Sequence, residues 1–267
     1  MPHAPFHDLT PWWTQQRSDD CVIATAIHDG HGLRAELADA VALPAAERLR
    51  EEDPFTGDAV RDVPSHVIVH RSRFEVDLNR AIDEAVYRTP DQCWGLQLWK
   101  APPADAVVER SRALHRAFYA QLAHWLDDVV AVHGRFVLLD VHSYNHRRDG
   151  ADAAPTPPEK APEINIGSAS MPRAQWAHVV DPVMASMAAF EFLGRRLDVR
   201  ENVAFQGRGE LARFIHERYP GTGCAIAIEF KKFYMDEWTG EPDRAAVDAM
   251  RGLIRAAADV ARERLHG

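Results

Sequence analysis

Arg135-Phe-Val-Leu-Leu-Asp-Val-His-Ser-Tyr-Asn-His-Arg-Arg148 is a short apolar run that empties directly into a cluster of ligand-type side chains. Phe136 to Val141 has the length and the β-branched or bulky content of a strand buried on both faces, as in a helix-covered parallel sheet. Ligands of such sheets bind beyond the carboxyl ends of the strands. Asp140, His142, Ser143 and His146 therefore fall where chemistry is expected. Read alone, Asp140 and His142 serve equally well as strand-end groups that satisfy backbone, so the other strands decide.

Cys21-Val-Ile-Ala-Thr-Ala-Ile27 repeats the layout, ending in the glycine-punctuated turn His28-Asp-Gly-His-Gly32. Short helices are predicted from Leu33 to Asp39 and from Pro44 to Glu52, the second stopped by Pro54 after the acidic corner Glu51-Glu-Asp53. His66 to His70 reads as a third strand. It leads through Arg71, Arg73 and Arg80 into a segment marked only by the Phe74/Val76/Leu78 alternation. Trp94 to Lys100 alternates like a half-exposed strand or hairpin arm between Pro90 and Pro102-Pro103. From Ala104 to Val132, apolar residues recur at three- to four-residue steps, which predicts one long helix laid on the sheet. Arg147 to Pro162, with Pro155, Pro157, Pro158 and Pro162, reads as a surface loop long enough to be a lid. Glu163 to Gly167, Asn202 to Phe205 and Gly223 to Phe230 are the remaining strand candidates. Helices are predicted at Arg173–Val180, Pro182–Arg196, Gly209–Arg218 and Pro242–Leu265. This alternation implies a single α/β domain over residues 1–267, a three-layer α/β/α arrangement around a mixed, largely parallel sheet.

The totals exclude several classes. A chain of 267 residues, 46% hydrophobic and 27% charged, has ordinary globular composition and can bury a real core. A net charge of -9 with no Lys/Arg stripe argues against a nucleic-acid partner. No run approaches membrane-spanning length, and the start Met1 to Trp13 lacks a cationic segment followed by an apolar one, so a cytoplasmic protein is expected. Cys21, Cys93 and Cys224 are odd in number, far apart and without a CxxC pair, which disfavours disulfides and cysteine-based zinc. Trp12, Trp13, Trp94, Trp99 and Trp125 read as packing residues.

The strand ends together supply His28, His142, Glu229 and the Arg71/Arg73 pair, with Glu51-Glu52-Asp53 close behind the first strand. Catalytic zinc takes ligands such as two histidines and a carboxylate, leaves a position for water and lowers that water's pKa to about 7. A further carboxylate must then relay protons, and a cation must steady the oxyanion. Every role has a candidate here.

His28 with its following glycine, Val76-Asp-Leu-Asn-Arg80, Asp140-Val-His-Ser143 and Ile228-Glu-Phe-Lys-Lys-Phe-Tyr-Met-Asp-Glu237 resemble, in that order, motifs of the N-formylglutamate amidohydrolase family, a branch of the zinc carboxypeptidase and aspartoacylase superfamily. The resemblance spans about residues 21 to 240. It implies a zinc-carboxypeptidase-like fold and one Zn2+ per chain, held by His28, His142 and either Glu52 or Asp53, with His31 in reserve. It implies Glu229 as general base and acid, Arg71 or Arg73 at the oxyanion, and Asn79 with Arg80 holding a substrate carboxylate. The implied reaction is cleavage of the amide of a small N-formyl or N-acyl amino acid. A carboxypeptidase acting on peptide C-termini and a non-catalytic metal- or carboxylate-binding relative are the alternatives. The chain departs from the usual family pattern at Ile27-His-Asp-Gly-His-Gly32, at Tyr144 to Arg148, and at Phe230-Lys231-Lys232.

Overall fold

A computed structural model describes residues 11–266, so the reading of the opening residues up to Thr10 lies outside the described part. Among the described residues the strands are β1 (Trp13–Gln16), β2 (Val22–Ala26), β3 (Ser65–Val69), β4 (Phe136–Tyr144), β5 (Ile164–Gly167), β6 (Val199–Glu201) and β7 (Gly223–Lys231). They form one sheet in the order β1-β3-β2-β4-β7-β5-β6. Neighbours β3, β2, β4 and β7 are parallel, while β1 runs antiparallel to β3 and β5 antiparallel to β7. The helices are α1 (Ala35–Ala38), α2 (Ala45–Glu51), α3 (Thr56–Val60), α4 (Asp105–His133), α5 (Ala177–Ala189), α6 (Glu210–Arg218) and α7 (Arg244–His266).

Side chains alternate across each strand and so feed two cores. Val137, Leu139 and Val141 of β4 join Val22, Ala24, Ile226 and Ile228 beneath α3, α5 and α7. Phe136 and Leu138 join Ile23, Val67 and Ala225 beneath α4 and α6. The expected three-layer α/β/α architecture with a mostly parallel sheet is therefore present. The long helix follows its predicted stripe, burying Phe118, Leu122, Trp125, Leu126 and Val129, and it stops at Gly134, whose φ of 75° suits only glycine well. Cys21, Cys93 and Cys224 are buried thiols outside any disulfide. No helix among the described residues is long and apolar enough to cross a membrane.

Four local expectations change. Trp94 to Lys100 is not a strand: Trp94 and Gly95 have φ of 55° and 84°, and Leu98 and Trp99 both turn into a third core with Phe74 and Tyr87. Trp94 itself is 45% exposed rather than packed inside. The helices expected on either side of Asp181 are one helix, α5, with Pro182 inside it, held by Val179, Val180, Val183 and Met187 against the core. The strand expected at Asn202–Phe205 lies earlier, at β6. Asn202 has a φ of 56°, and the Val203 and Ala204 N–H groups donate to Asn165 Oδ1, each at 2.8 Å, instead of to a neighbouring strand. Helix α3 and edge strand β1 went unread because both are short.

His216 of α6 couples the sheet to the loop above it. The Ala225 N–H donates to His216 Nε2 at 3.0 Å, so Nδ1 carries the proton toward Ser170 Oγ at 3.1 Å, and Ser170 donates to the Gly207 carbonyl at 2.6 Å. Burial pushes this imidazole down to about 4. A folded pKa below the unfolded value means that the unfolded chain takes the proton first. The stability is therefore full above about pH 6.5 and falls on the order of 2 kcal/mol as pH drops toward 4. Urea unfolding of chelator-treated protein across this window should show that decline, and a shallower one in His216→Gln. Leu139→Ala, at a fully buried site of β4, should cost about 3 kcal/mol in the same assay at pH 7.

Candidate metal centre

β2 ends at Ala26 and leaves His28 at its tip, where Gly30 packs so closely on the His70 backbone that no Cβ would fit. The Asp53 N–H donates to the His28 carbonyl at 2.9 Å, drawing the turn after α2 over the strand end. That turn is pinned from below. Lys232 Nζ donates to the carbonyls of Arg50 at 2.5 Å and Glu52 at 2.7 Å, and the Tyr234 hydroxyl donates to the Pro54 carbonyl at 3.0 Å. β4 continues three residues past Val141, so His142 lies within the sheet and in register with Glu229 of β7.

His28, Asp53 and His142 come together here, their ligand atoms all within 4.8 Å of one another and each residue buried. Asp53 Oδ2 lies 3.0 Å from His142 Nδ1 and 3.4 Å from His28 Nδ1. The far ring nitrogens face carboxylates, His28 Nε2 at 2.7 Å from Asp77 Oδ1 and His142 Nε2 at 3.0 Å from Asp140 Oδ2. A carboxylate at Nε2 keeps the proton on that nitrogen and turns the Nδ1 lone pair toward Asp53. His28 Nδ1 is a buried atom without a hydrogen-bond partner, the kind of orphan that a cation would satisfy. Two imidazole nitrogens and one carboxylate suit a zinc-type ion with an open position.

Without an ion, the buried charges of this group are balanced against one another. Burial alone would raise the Asp53 carboxyl, but the His142 and His28 contacts outweigh it and hold Asp53 below the usual carboxylate range. Burial likewise opposes ionisation of Asp77, and the Arg73 guanidinium overcomes it, with Nη2 at 2.8 Å from Oδ2. The Tyr87 hydroxyl also donates to Asp77. Desolvation would lower His142, yet the Asp140 carboxylate beside it carries it well above the ordinary imidazole value.

Glu52 is the ligand alternative that the structure leaves out. The backbone is extended at this residue, so successive side chains point to opposite sides. Asp53 faces the histidines, while Glu52 accepts the Ser72 hydroxyl in a dry pocket that pushes its carboxyl up to about 7. His31 is exposed and lines a separate depression with Asp29 and Asp58. His146 and Arg147 face a third one, beside Glu237.

A cavity of about 410 Å³ opens over the triad, and Arg73, Asn79, Asp140, Ser143, Arg148 and Glu229 are in its wall. The Glu229 carboxyl makes no hydrogen bond among the described residues, and burial pushes it up to about 8. Asn79 Nδ2 lies 3.5 Å from His142 Nε2. Arg71 is absent from this wall and lies against Gly32. Arg80 is also absent, its guanidinium set over the Tyr87 ring at 4.7 Å. The loop after β4 contributes Arg148, which pairs with Glu51 at 3.3 Å. Sequence reasoning passed over Arg208 in the wall, read Trp94 there as a packing residue, and gave Asp77 no role beyond its place in a motif. The position of Asp77, two residues before Asn79 in a quoted motif, was the available signal.

The family model described as N-formylglutamate amidohydrolase matches residues 20–235. The chain belongs to that family. Among solved structures it is similar to the N-formylglutamate amidohydrolase of Ralstonia eutropha JMP134, with a TM-score of 0.71 and 17% identity over 94% of this chain and 97% of that one. A gene product of Agrobacterium tumefaciens matches with a TM-score of 0.57 and 16% identity, covering 93% of this chain and 92% of the other. A metallo-carboxypeptidase from Burkholderia cenocepacia scores only 0.35 at 14% identity, over 92% of this chain and 57% of that one. No curated protein matches the chain. At these identities the structural likeness speaks for the family's fold alone.

Metal analysis tests the centre directly. Protein purified without added metal should carry about one divalent ion per chain, and His28→Ala and His142→Ala should each lose it. Asp77→Asn should keep the fold but weaken zinc affinity about 10- to 100-fold in a chelator competition, since it releases the His28 ring.

Proposed function

We propose that this member of the family is a zinc-dependent amidohydrolase acting on a small N-formyl or N-acyl amino acid that carries a free carboxylate, with N-formylglutamate as the first candidate. The observation that carries the reading is the buried His28, Asp53 and His142 group, one of its nitrogens orphaned, beneath a cavity that also holds the unbonded Glu229. His28 Nδ1, His142 Nδ1 and Asp53 Oδ2 would hold the ion. Bound there, zinc would supply Lewis acidity and a water of lowered pKa.

The chain's own groups divide the remaining work. Glu229 takes the proton of the attacking water and returns it to the leaving amine nitrogen. Burial pushes its carboxyl up to about 8, which suits the acid half of that cycle, and a bound divalent ion would bring it down toward the base half. Arg73, kept charged and aimed by Asp77, faces the developing oxyanion. The Asn79 amide orients the substrate beside His142. Arg71 has no part in this scheme, because it does not reach the cavity.

Hydrolysis of N-formyl-L-glutamate to formate and L-glutamate by zinc-loaded protein is the decisive assay, beside N-acetyl amino acids and short peptides. Chelation should abolish turnover and zinc should restore it. Glu229→Gln should lower kcat about 10²- to 10⁴-fold with zinc content unchanged. Undiminished turnover in that variant, or none in the zinc-loaded wild type with any of these substrates, overturns the reading.

A further inference from the structure

Four cations line the cavity over the triad: Arg73, Arg148, Arg208 and Lys232. Three are committed. Arg73 is paired with Asp77, Arg148 with Glu51, and Lys232 Nζ donates to two backbone carbonyls. Arg208 is exposed and, among the described residues, makes no hydrogen bond or ion pair.

Its position is nevertheless built. The flanking glycines are wedged into neighbours that leave no room for a Cβ, Gly207 against the Gly167 backbone at the end of β5 and Gly209 against the Asn79 side chain. Helix α6, which begins just after Arg208, is tied to the same asparagine: the Glu210 N–H donates to the Asn79 carbonyl at 2.9 Å and the Leu211 N–H to Asn79 Oδ1 at 3.3 Å. The loop thus crosses the cavity from β5 to Asn79, with Arg208 between its two fixed points. Arg80, the chain neighbour of Asn79, is turned out of the wall toward Tyr87, with Nε 3.6 Å from Asp77 Oδ2.

We propose that Arg208, rather than Arg80, is the cation that works with Asn79 to hold the substrate carboxylate, so that selectivity for carboxylate-bearing amino acids resides in the Gly207-Arg-Gly209 loop. The proposal rests on the amidohydrolase reading for its substrate class. An uncommitted guanidinium fork at the mouth of the site binds a carboxylate through two charge-assisted hydrogen bonds without first breaking an internal ion pair.

The test compares wild type, Arg208→Gln, Arg208→Lys, Arg80→Gln and Arg213→Gln, all zinc-loaded. The readouts are L-glutamate affinity by calorimetry, kcat and KM for N-formyl-L-glutamate, Tm and zinc content. Arg213 lies outside the cavity wall and pairs with Glu210, so it controls for net charge. Arg208→Gln should weaken L-glutamate binding and raise KM about 30-fold, with kcat changed less than about threefold, and Tm and zinc unaltered. Arg208→Lys should recover part of the loss, since the charge remains but the fork does not. L-Glutamate binding that depends on Arg208 without any hydrolysis supports the carboxylate site and sinks only the amidohydrolase reading. The proposal is overturned if Arg208→Gln binds within about threefold of wild type, if Arg80→Gln or Arg213→Gln loses as much, or if wild type binds no L-glutamate.

Discussion

Three carboxylates, Asp53, Asp77 and Asp140, converge on two imidazoles in a pocket from which water is almost excluded, and the architecture around it answers that concentration of charge. In a low-dielectric interior, like charges this close repel strongly, and each unpaired one is costly to bury. The chain meets part of the demand itself. Arg73 and Tyr87 occupy Asp77, and the Thr25 hydroxyl donates to Asp140 at 2.8 Å. Asp53 is left with only the two histidines, on the side that opens to the cavity. A divalent cation is the natural complement to what remains.

Holding Asp53 there takes several unrelated parts of the chain. Its turn runs from the end of α2 into Phe55, whose φ of 70° is unusual for an aromatic residue, and then into α3, with the Thr56 hydroxyl donating to the Asp53 carbonyl at 2.6 Å. Lys232 and Tyr234, just past β7, grip the same turn through its carbonyls. The departure from the usual family pattern at Phe230-Lys231-Lys232 thus has a local meaning: Lys232, nearly free of solvent and pushed down to about 8 by burial, acts as a backbone clamp. Strain at Phe55 is tolerable because both sides of the turn are fastened.

The resemblance to solved relatives at 16–17% identity fits this division of labour. A parallel sheet delivers its strand ends to one edge whatever apolar residues fill its two cores, so sequence can drift in the layers while the backbone frame persists. The wall of the cavity is free to vary in a different way. It carries side chains such as Arg208 and those of the stretch after Tyr144, which are not needed to hold the sheet together, while the glycines flanking Arg208 are fixed by what they touch.

The apolar runs ending in His28, His142 and Glu229 were legible in the sequence because a buried parallel strand needs a continuous hydrophobic stretch, and the fold class followed from their alternation with helices. Asp53 and Glu52 were not distinguishable, since adjacent residues of one extended turn differ only in which way they face, and that direction is set by Ser72 on one side and the histidines on the other. Arg71, Arg73 and Arg80 look alike for the same reason. Composition marks each as a cation near the site, but which of them lines the cavity and which turns away is decided by how their shared segment folds around Asp77. The strand at β6 was misplaced because the N–H groups after it are taken by the side chain of Asn165. The sequence by itself determined the strand-borne histidines and glutamate and the sheet that carries them, because local pattern encodes burial. Only tertiary structure decided which carboxylate joins the two histidines and which arginine stays uncommitted, because both depend on how distant segments meet, which no local pattern records.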